Sequence, residues 1–443
     1  MRAVATQTLR EASNRDAFLM RAVEALGLPI EIISGREEAR LIYAGVARLQ
    51  PSSLPRLVVD IGGRSTEMIL GEGRQPLRAE SFRIGSVSLS MAYFGDGKFT
   101  EAAFRAAQIA AGAELEEALV PFAATHWQEA LGASGTVGAV SQLLAASGIG
   151  DGAITPEGLR WLIERCLRAG RVDKLDLPGL KDDRKEVIAG GLAILYTLAT
   201  HFNIERLLPA RGALRQGVLF DLHERLGAAS GADSVEAHDI RDDSVRDLQQ
   251  RFHIDTDQAA RVARVALTLY DGAIGARRER GEDEGAVGAE TARGEARHEL
   301  QWAAALHEAG MMVSHHDHHR HSAYLMSHAD AAGFSQSQQR RLGELLLAQR
   351  GGLRKVELQL AEGTFAWQVL CLRLAVIKCH ARGEVDPNAL SLQRSGARAL
   401  LTLAPGWTAR NPRTRFLLEN EVAVWARNGP LRLSLVDDPS RAG

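Results

Sequence analysis

Val58-Val59-Asp60-Ile61-Gly62-Gly63-Arg64-Ser65-Thr66-Glu67-Met68-Ile69-Leu70 reads as an apolar strand, a glycine turn and a second apolar strand. Glycine at 62 and 63 permits positive φ and close backbone approach, so successive N–H groups can converge on one anion. Arg64, Ser65 and Thr66 add side-chain donors at the same tip. Asp60 ends the first strand and Glu67 opens the second, which puts two carboxylates where a Mg²⁺ bridging phosphate oxygens would sit. The same residues also suit an ordinary Gly-Gly hairpin with a polar tip, and the local pattern leaves both readings open.

A chain of 443 residues exceeds what one hydrophobic core usually serves, so several domains are expected. Its 45% hydrophobic and 24% charged residues are those of a globular protein, and a net charge of −2 argues against indiscriminate nucleic-acid binding. Three cysteines (Cys166, Cys371, Cys379) are too few for a disulfide framework and lack zinc-ligand spacing, which fits a reducing cytoplasm. Residues 1–21 hold no signal-peptide apolar core, and the most apolar helix, around Val187 to Thr200, is too short to span a bilayer.

Upstream of the glycine turn the pattern predicts a short strand at Ala3–Thr6 and a helix from Asn14 or Asp16 to Leu26, with Phe18, Val23 and Leu26 on its apolar face. A strand at Ile30–Ile33 follows, and Ser34 caps a helix carrying Glu37 and Glu38 in its first turn. Residues 57–90 supply three strands, a meander suggesting the ribonuclease-H-like half of an actin-type fold. Gly132-Ala133-Ser134-Gly135-Thr136 is a strand-to-helix turn that could wrap phosphate oxygens, although small residues also serve simply to pack a helix on a sheet. Thr155-Pro156-Glu157 marks a strong helix start.

Gly227 to Asp233 is the first credible linker. A helical region follows from Ser244, and residues 272–299, rich in Gly, Arg and Glu, read as a disordered insertion. Half of the 14 histidines fall between His307 and His328. Such a cluster invites a metal reading, and a polar, partly protonated, phosphate-facing loop is the preferred alternative. The remainder mixes helices (Trp367–His380, Arg415–Trp425) with strands (Ala399–Leu403, Leu431–Leu435), a small α+β module. The expected division is 1–41, remnant of a first actin-like lobe; 42–227, a second lobe with the phosphate loops; 234–360, a helical HD-like domain; and 364–443, the C-terminal module.

Three motifs in order, Ile33-Ser34-Gly35-Arg36-Glu37-Glu38-Ala39-Arg40, Val59-Asp60-Ile61-Gly62-Gly63 and Gly132-Ala133-Ser134-Gly135-Thr136, make the chain resemble the exopolyphosphatase / guanosine pentaphosphate phosphohydrolase family. Gly212-Ala213-Leu214-Arg215, Leu306-His307-Glu308 and Arg320-His321-Ser322 extend the likeness over nearly the whole chain, in a form resembling the long proteobacterial exopolyphosphatases. The resemblance implies a cytoplasmic, Mg²⁺-dependent hydrolase, a homodimer, that releases terminal phosphate from inorganic polyphosphate or guanosine pentaphosphate. It implies Glu38 as catalytic base, Asp60 and Glu67 at the metal, and Gly62, Gly63, Arg64, Ser65, Thr66, Gly132, Ser134, Gly135 and Thr136 around phosphate. Arg320, His321, Arg340 and Arg341 are candidates for a polyphosphate track. Arg64, Arg211 and the pair His307-Glu308 depart from the family's pattern. The family's opening Asp-x-Gly-Ser-Asn-Ser hairpin is also not found, so the first lobe is expected to be incomplete, with a non-catalytic polyphosphate or nucleotide binder as the competing class.

Overall fold

The structure, a computed structural model, describes residues 1–229, 239–278 and 287–437. The chain divides into two compact units, Met1–His238 and Asp239–Gly443. In the first, β1 (Ala3–Ala5) and β2 (Ile30–Ile32) pair in parallel, connected through α1 (Gln7–Glu11) and α2 (Arg15–Leu26). The apolar face predicted for α2 is present but buries no residue: Phe18, Met20 and Leu26 are 49%, 72% and 52% exposed. At α3 (Gly35–Leu49) the Ser34 hydroxyl accepts a hydrogen bond from Glu37 N, satisfying one of the helix's free donors. The boundary expected at residue 41 falls inside this continuous helix.

A five-stranded sheet follows: β3 (Arg56–Ile61), β4 (Thr66–Glu72) and β5 (Gln75–Phe82) form an antiparallel meander, while β6 (Glu129–Gly132) and β7 (Leu208–Pro209) continue in parallel on the other side of β3. The order β5-β4-β3-β6-β7 is that of a ribonuclease-H-like lobe. Both faces are covered, which is why the strands read as nearly continuous apolar runs. Leu57, Val59, Ile61, Met68 and Leu70 meet the helices of one face: α4 (Ser86–Phe94), α5 (Glu101–Glu114), α6 (Gly135–Ala146), α7 (Pro156–Ala169) and α9 (Ile188–His201), the last preceded by the short α8 (Asp182–Lys185). Val58, Ile69 and Leu131 face the other way, against Ala39, Ile42, Tyr43 and Val46 of α3. Side chains alternate along a strand, so Asp60 and Glu67, directly opposite each other in the β3–β4 register, lie on the α3 face.

α10 (Leu214–Ala229) lies on α3 almost backbone to backbone. A Cβ at Gly217 would stand 1.7 Å from the Leu41 carbonyl oxygen, and one at Gly45 2.4 Å from that of Ala213. Charge fastens the same contact. Arg40 donates to Glu37 at 2.8 Å and to Asp221 of α10 at 2.6 Å, and Asp221 also meets Arg2 at 2.5 Å and Arg225 at 2.7 Å. Burial pushes the Asp221 carboxyl up, but Arg40, Arg225 and Arg2 outweigh it and hold it below the usual range.

The second unit comprises α11 (Ile240–Arg251), α12 (Thr256–Arg278), α13 (Val287–Leu306), α14 (His318–His328), α15 (Gln336–Ala348), α16 (Glu357–Leu360) and α17 (Gly363–Lys378). A three-stranded sheet of order β10-β9-β8 follows, from β8 (Leu390–Ser395), β9 (Arg398–Leu403) and β10 (Arg432–Asp437), with α18 (Trp407–Arg410) and α19 (Pro412–Asn428) between β9 and β10. One hydrophobic core runs through the unit from Val245 to Leu433. Arg373 of α17, buried, grips Glu421 of α19 at 2.5 and 2.7 Å and donates to the Ala348 carbonyl. The disordered insertion expected at 272–299 is corrected: Gly272–Arg278 completes α12 and 287–299 belongs to α13. Its charged composition concealed a buried stripe of Ala273, Ala296 and, just beyond, Leu300, and a surface pair of Arg297 with Asp271 at 2.9 Å. Residues 279–286, and most of the expected linker, lie outside the described residues. Among those described, no helix is long and apolar enough to cross a membrane.

The α3–α10 contact yields a stability test. Gly217→Ala forces a methyl into the Leu41 carbonyl, and we expect a loss of about 3 kcal/mol or more in chemical denaturation. Gly138→Ala in α6, where a Cβ meets nothing within 4 Å, should be neutral or stabilising by about 0.4–1 kcal/mol. Equal effects would show that the close helix approach is not a constraint.

Candidate active site

Glu38 stands on the first turn of α3, above the strand face that carries Asp60 and Glu67. Arg10 of α1 holds it: Nη1 donates to Glu38 Oε2 at 3.0 Å and to the Ile33 carbonyl at 2.7 Å, while Gln7 Oε1 accepts from Nε at 2.9 Å. Burial raises the Glu38 carboxyl's affinity for its proton, and Arg10 opposes this without cancelling it. Glu67 is almost wholly buried and accepts from Ser81 Oγ at 2.8 Å. Burial, with Glu38's charge nearby, pushes Asp60 up to about 7 and Glu67 up to about 8. The structure thus brings the three sequence-predicted carboxylates within electrostatic reach. Glu37, one residue away, turns instead to Arg40 and is part of the α3–α10 fastening.

Two turns border a cleft of about 960 Å³. Asp60, Gly62 and Gly63 line it from the β3–β4 turn, and Ser134, Gly135 and Thr136 from the start of α6. The hairpin closes through Gly62 N donating to the Ser65 carbonyl at 2.9 Å. Neither Gly62 nor Gly63 takes the positive φ that the sequence suggested. What the turn needs is space: a Cβ at Gly85 would strike Gly63 and Arg64 backbone atoms at 2.3–2.5 Å, so the α4 start sits directly on the turn. Several expected phosphate ligands are used elsewhere. Thr66 is buried and donates to the Ile84 carbonyl at 2.6 Å, Thr136 Oγ1 donates to the Ile61 carbonyl at 3.0 Å, and Ser65 supports Glu67. Arg64 projects to Glu11 at 3.8 Å and is not a wall of the cleft. Gly132 serves packing, since a Cβ there would meet Val137 at 2.5 Å. Donors left at the cleft wall are therefore the backbone N–H groups of Gly63 and of residues 134–136, and the Ser134 hydroxyl, which also accepts from Val137 N at 3.1 Å.

Cations to which the sequence assigned no role in the site complete the walls. Arg184, Arg211 and Arg215 line the cleft without a carboxylate partner among the described residues. Arg184 Nη2 lies 3.3 Å from where a Gly135 Cβ would be. No local pattern marks Arg10 or Arg184, because each reaches the site from a different short helix.

In the second unit, His318 and His319 are buried with their Nδ1 atoms unpartnered, and burial holds both rings' pKa below the ordinary value, His319 at about 4. The partly protonated loop expected there is corrected for these two. His307, also buried, is pushed down to about 4 and its Nδ1 lies 2.8 Å from the Ala304 carbonyl. Among the described residues no group of three or more His, Cys, Asp or Glu side chains is disposed to hold a metal ion. Of the expected polyphosphate track, Arg341 is engaged by Glu299 and Glu362 at 2.7 Å each, Arg320 lies 3.6 Å from Asp317, His321 is half-buried and Arg340 is exposed.

The raised carboxyls set a pH dependence. The unfolded chain releases these protons near pH 4, the folded one only near 7 for Asp60 and 8 for Glu67, so between those values the native state binds more protons and its stability falls as pH rises. In metal-free buffer, Glu67→Gln should melt higher than the unmodified chain at pH 8 and no higher at pH 5. A constant difference across that range would contradict the assignment.

The sequence model of the Ppx/GppA phosphatase family matches residues 1–226, and that of Ppx/GppA phosphatase domain III matches residues 240–422. Similar solved structures include a Ppx/GppA enzyme of Aquifex aeolicus (24% identity, 49% of this chain and 74% of that one, TM-score 0.42). Others are an exopolyphosphatase-like protein (26%, 51% and 76%, TM-score 0.46) and an exopolyphosphatase from Cytophaga hutchinsonii (21%, 50% and 74%, TM-score 0.44). With its family matches spanning both units, the chain belongs to the Ppx/GppA phosphatase family.

Proposed function

We propose that the chain is an exopolyphosphatase, cutting the terminal phosphoanhydride of inorganic polyphosphate with water. The observation that carries the reading is Glu38 of α3 standing over the sheet face of Asp60 and Glu67, with Asp60 itself in the wall of a cleft bordered by two small-residue turns. Phosphoryl transfer through a loose transition state asks the protein mainly to place water and neutralise charge. Glu38, steadied by Arg10, takes a proton from the water as its oxygen bonds to phosphorus; the bond to the remaining chain breaks and that chain departs as an oxyanion. Backbone N–H groups at Gly63 and at 134–136, with Arg184, hold the equatorial oxygens.

Asp60 and Glu67 fit a Mg²⁺ ion. They form an all-oxygen pair whose affinity for protons is raised by burial and by Glu38's charge, and Mg²⁺ typically takes one or two carboxylates plus substrate phosphates. Such an ion would neutralise charge on the transferred phosphoryl oxygens. A second substrate, guanosine pentaphosphate, is favoured by one feature: the apolar flank of Val187, Val218, Leu219 and Leu222 along the cleft suits a nucleoside. In the second unit, we assign contacts to a long polyanion to Arg320, His321 and Arg340, and not to Arg341.

The test is phosphate release from long polyphosphate and from guanosine pentaphosphate, with and without Mg²⁺. Glu38→Ala should lower kcat by about 10²–10⁴-fold with little change in KM. Glu37→Ala should instead lower stability by about 3 kcal/mol, because it strips a partner from buried Arg40, while folded protein keeps its turnover. Equal losses of kcat would reduce Glu38 to a structural residue. Neutralising Arg320 and Arg340 together should weaken long polyphosphate more than short substrates and flatten the salt dependence; an identical effect on both lengths would remove them from the track.

A further inference from the structure

Next to the Ser134–Thr136 turn lies a second, smaller recess of about 220 Å³, walled by Gly135, Gly138 and Gln142 of α6 and by Gly179, Lys181 and Arg184. Gly135 and Arg184 are also walls of the large cleft, so the two spaces share a partition at the point where α6 begins. The recess opens to solvent at Gln142, Gly179 and Lys181, all exposed. At about 30 Å³ per water it has room for about seven waters, or one phosphate group with part of its shell.

Its chemistry is one-sided. Two cations and a side-chain amide line it, and no carboxylate does. Lys181 and Arg184 have no ion pair among the described residues, whereas the adjacent Lys185 is taken by Asp182 at 2.8 Å. Cations without counter-charge around a recess of this size suit a small, multiply charged oxyanion.

We propose that this recess receives the orthophosphate formed in the cleft and conducts it to solvent, with Lys181, Arg184 and the Gln142 amide as its ligands. The inference rests on the hydrolase reading above and adds a route to it. Cleavage of a terminal phosphoanhydride leaves two products, and the longer one still fills the side of the cleft by which it entered. Orthophosphate, released at the inner end beside Gly135, needs another way out. Arg184 borders both spaces, so it can keep hold of the phosphate as it passes from one to the other.

Gly138 supplies the test. A Cβ there points into open space and sits in a helix, so Gly138→Met obstructs the recess without a clash. With polyphosphate and Mg²⁺, the single-turnover rate of the variant should stay within twofold of the unmodified chain. Its steady-state turnover should fall about tenfold, with a phosphate burst stoichiometric with enzyme. Lys181→Met, at an exposed position, should weaken product inhibition by orthophosphate about tenfold. Unchanged steady-state turnover in Gly138→Met, or a single-turnover rate that falls as far as the steady-state one, would overturn the proposal. If the unmodified chain releases no phosphate from either substrate, the hydrolase reading fails on its own. The recess is then judged by calorimetry with inorganic phosphate: weaker binding in Lys181→Met supports it, and equal affinity refutes it.

Discussion

Keeping Glu38, Asp60 and Glu67 close together and out of water is the condition around which the first unit is built. Desolvation and mutual repulsion both oppose it, and among the described residues one guanidinium, that of Arg10, answers directly. The arrangement survives because the geometry is imposed from outside. Antiparallel pairing sets Asp60 opposite Glu67, and the capped start of α3 brings Glu38 over them. Neither element gains from the carboxylates. The sheet is held by its apolar faces, and α3 by Val58, Ile69 and Leu131 of the sheet below it and by α10 beside it. A site that its scaffold would relax if it could is what a hydrolase of a polyanion needs, since incoming cation and phosphate relieve a repulsion already present.

Much of this was legible in residues. The β3–β4 hairpin, the Ser34 cap, the Thr155-Pro156 start of α7 and the buried helix α9 all follow from local pattern, because turn chemistry and periodicity act over a few residues. The use of each polar group was less legible. Thr66, Thr136 and Ser65 look like phosphate donors in the sequence, yet their hydroxyls are drawn to the Ile84 and Ile61 carbonyls and to Glu67, choices made by neighbours 18 and 75 residues away for the two threonines. Arg10 and Arg184 were invisible for the same reason. In the second unit, the charged composition of 272–299 concealed buried alanines on two helices, Ala273 of α12 and Ala296 of α13, since alanine adds little to local hydrophobicity.

The two glutamates of Glu37-Glu38 illustrate how a helix separates roles. Consecutive residues project about 100° apart, so one carboxylate joins the Arg40–Asp221 network between helices while the other overhangs the sheet. In sequence they are interchangeable. In the fold, one fastens α3 to its neighbour and the other stands with Arg10 over Asp60 and Glu67.

The near-contact of backbones at Gly45, Gly212 and Gly217 has a mechanical consequence. Helices separated by side chains can slide as rotamers readjust, but here the interlocking surfaces are main-chain atoms with no rotamers to change. α3 and α10 therefore move as one stiff body. α10 contributes Arg215 and Leu219 to the cleft wall while α3 carries Glu38, so any movement of that wall carries Glu38 along with it. The distance between wall and Glu38 is conserved through such motion, and the compliance of the cleft is left to the turns at 62–63 and 134–136.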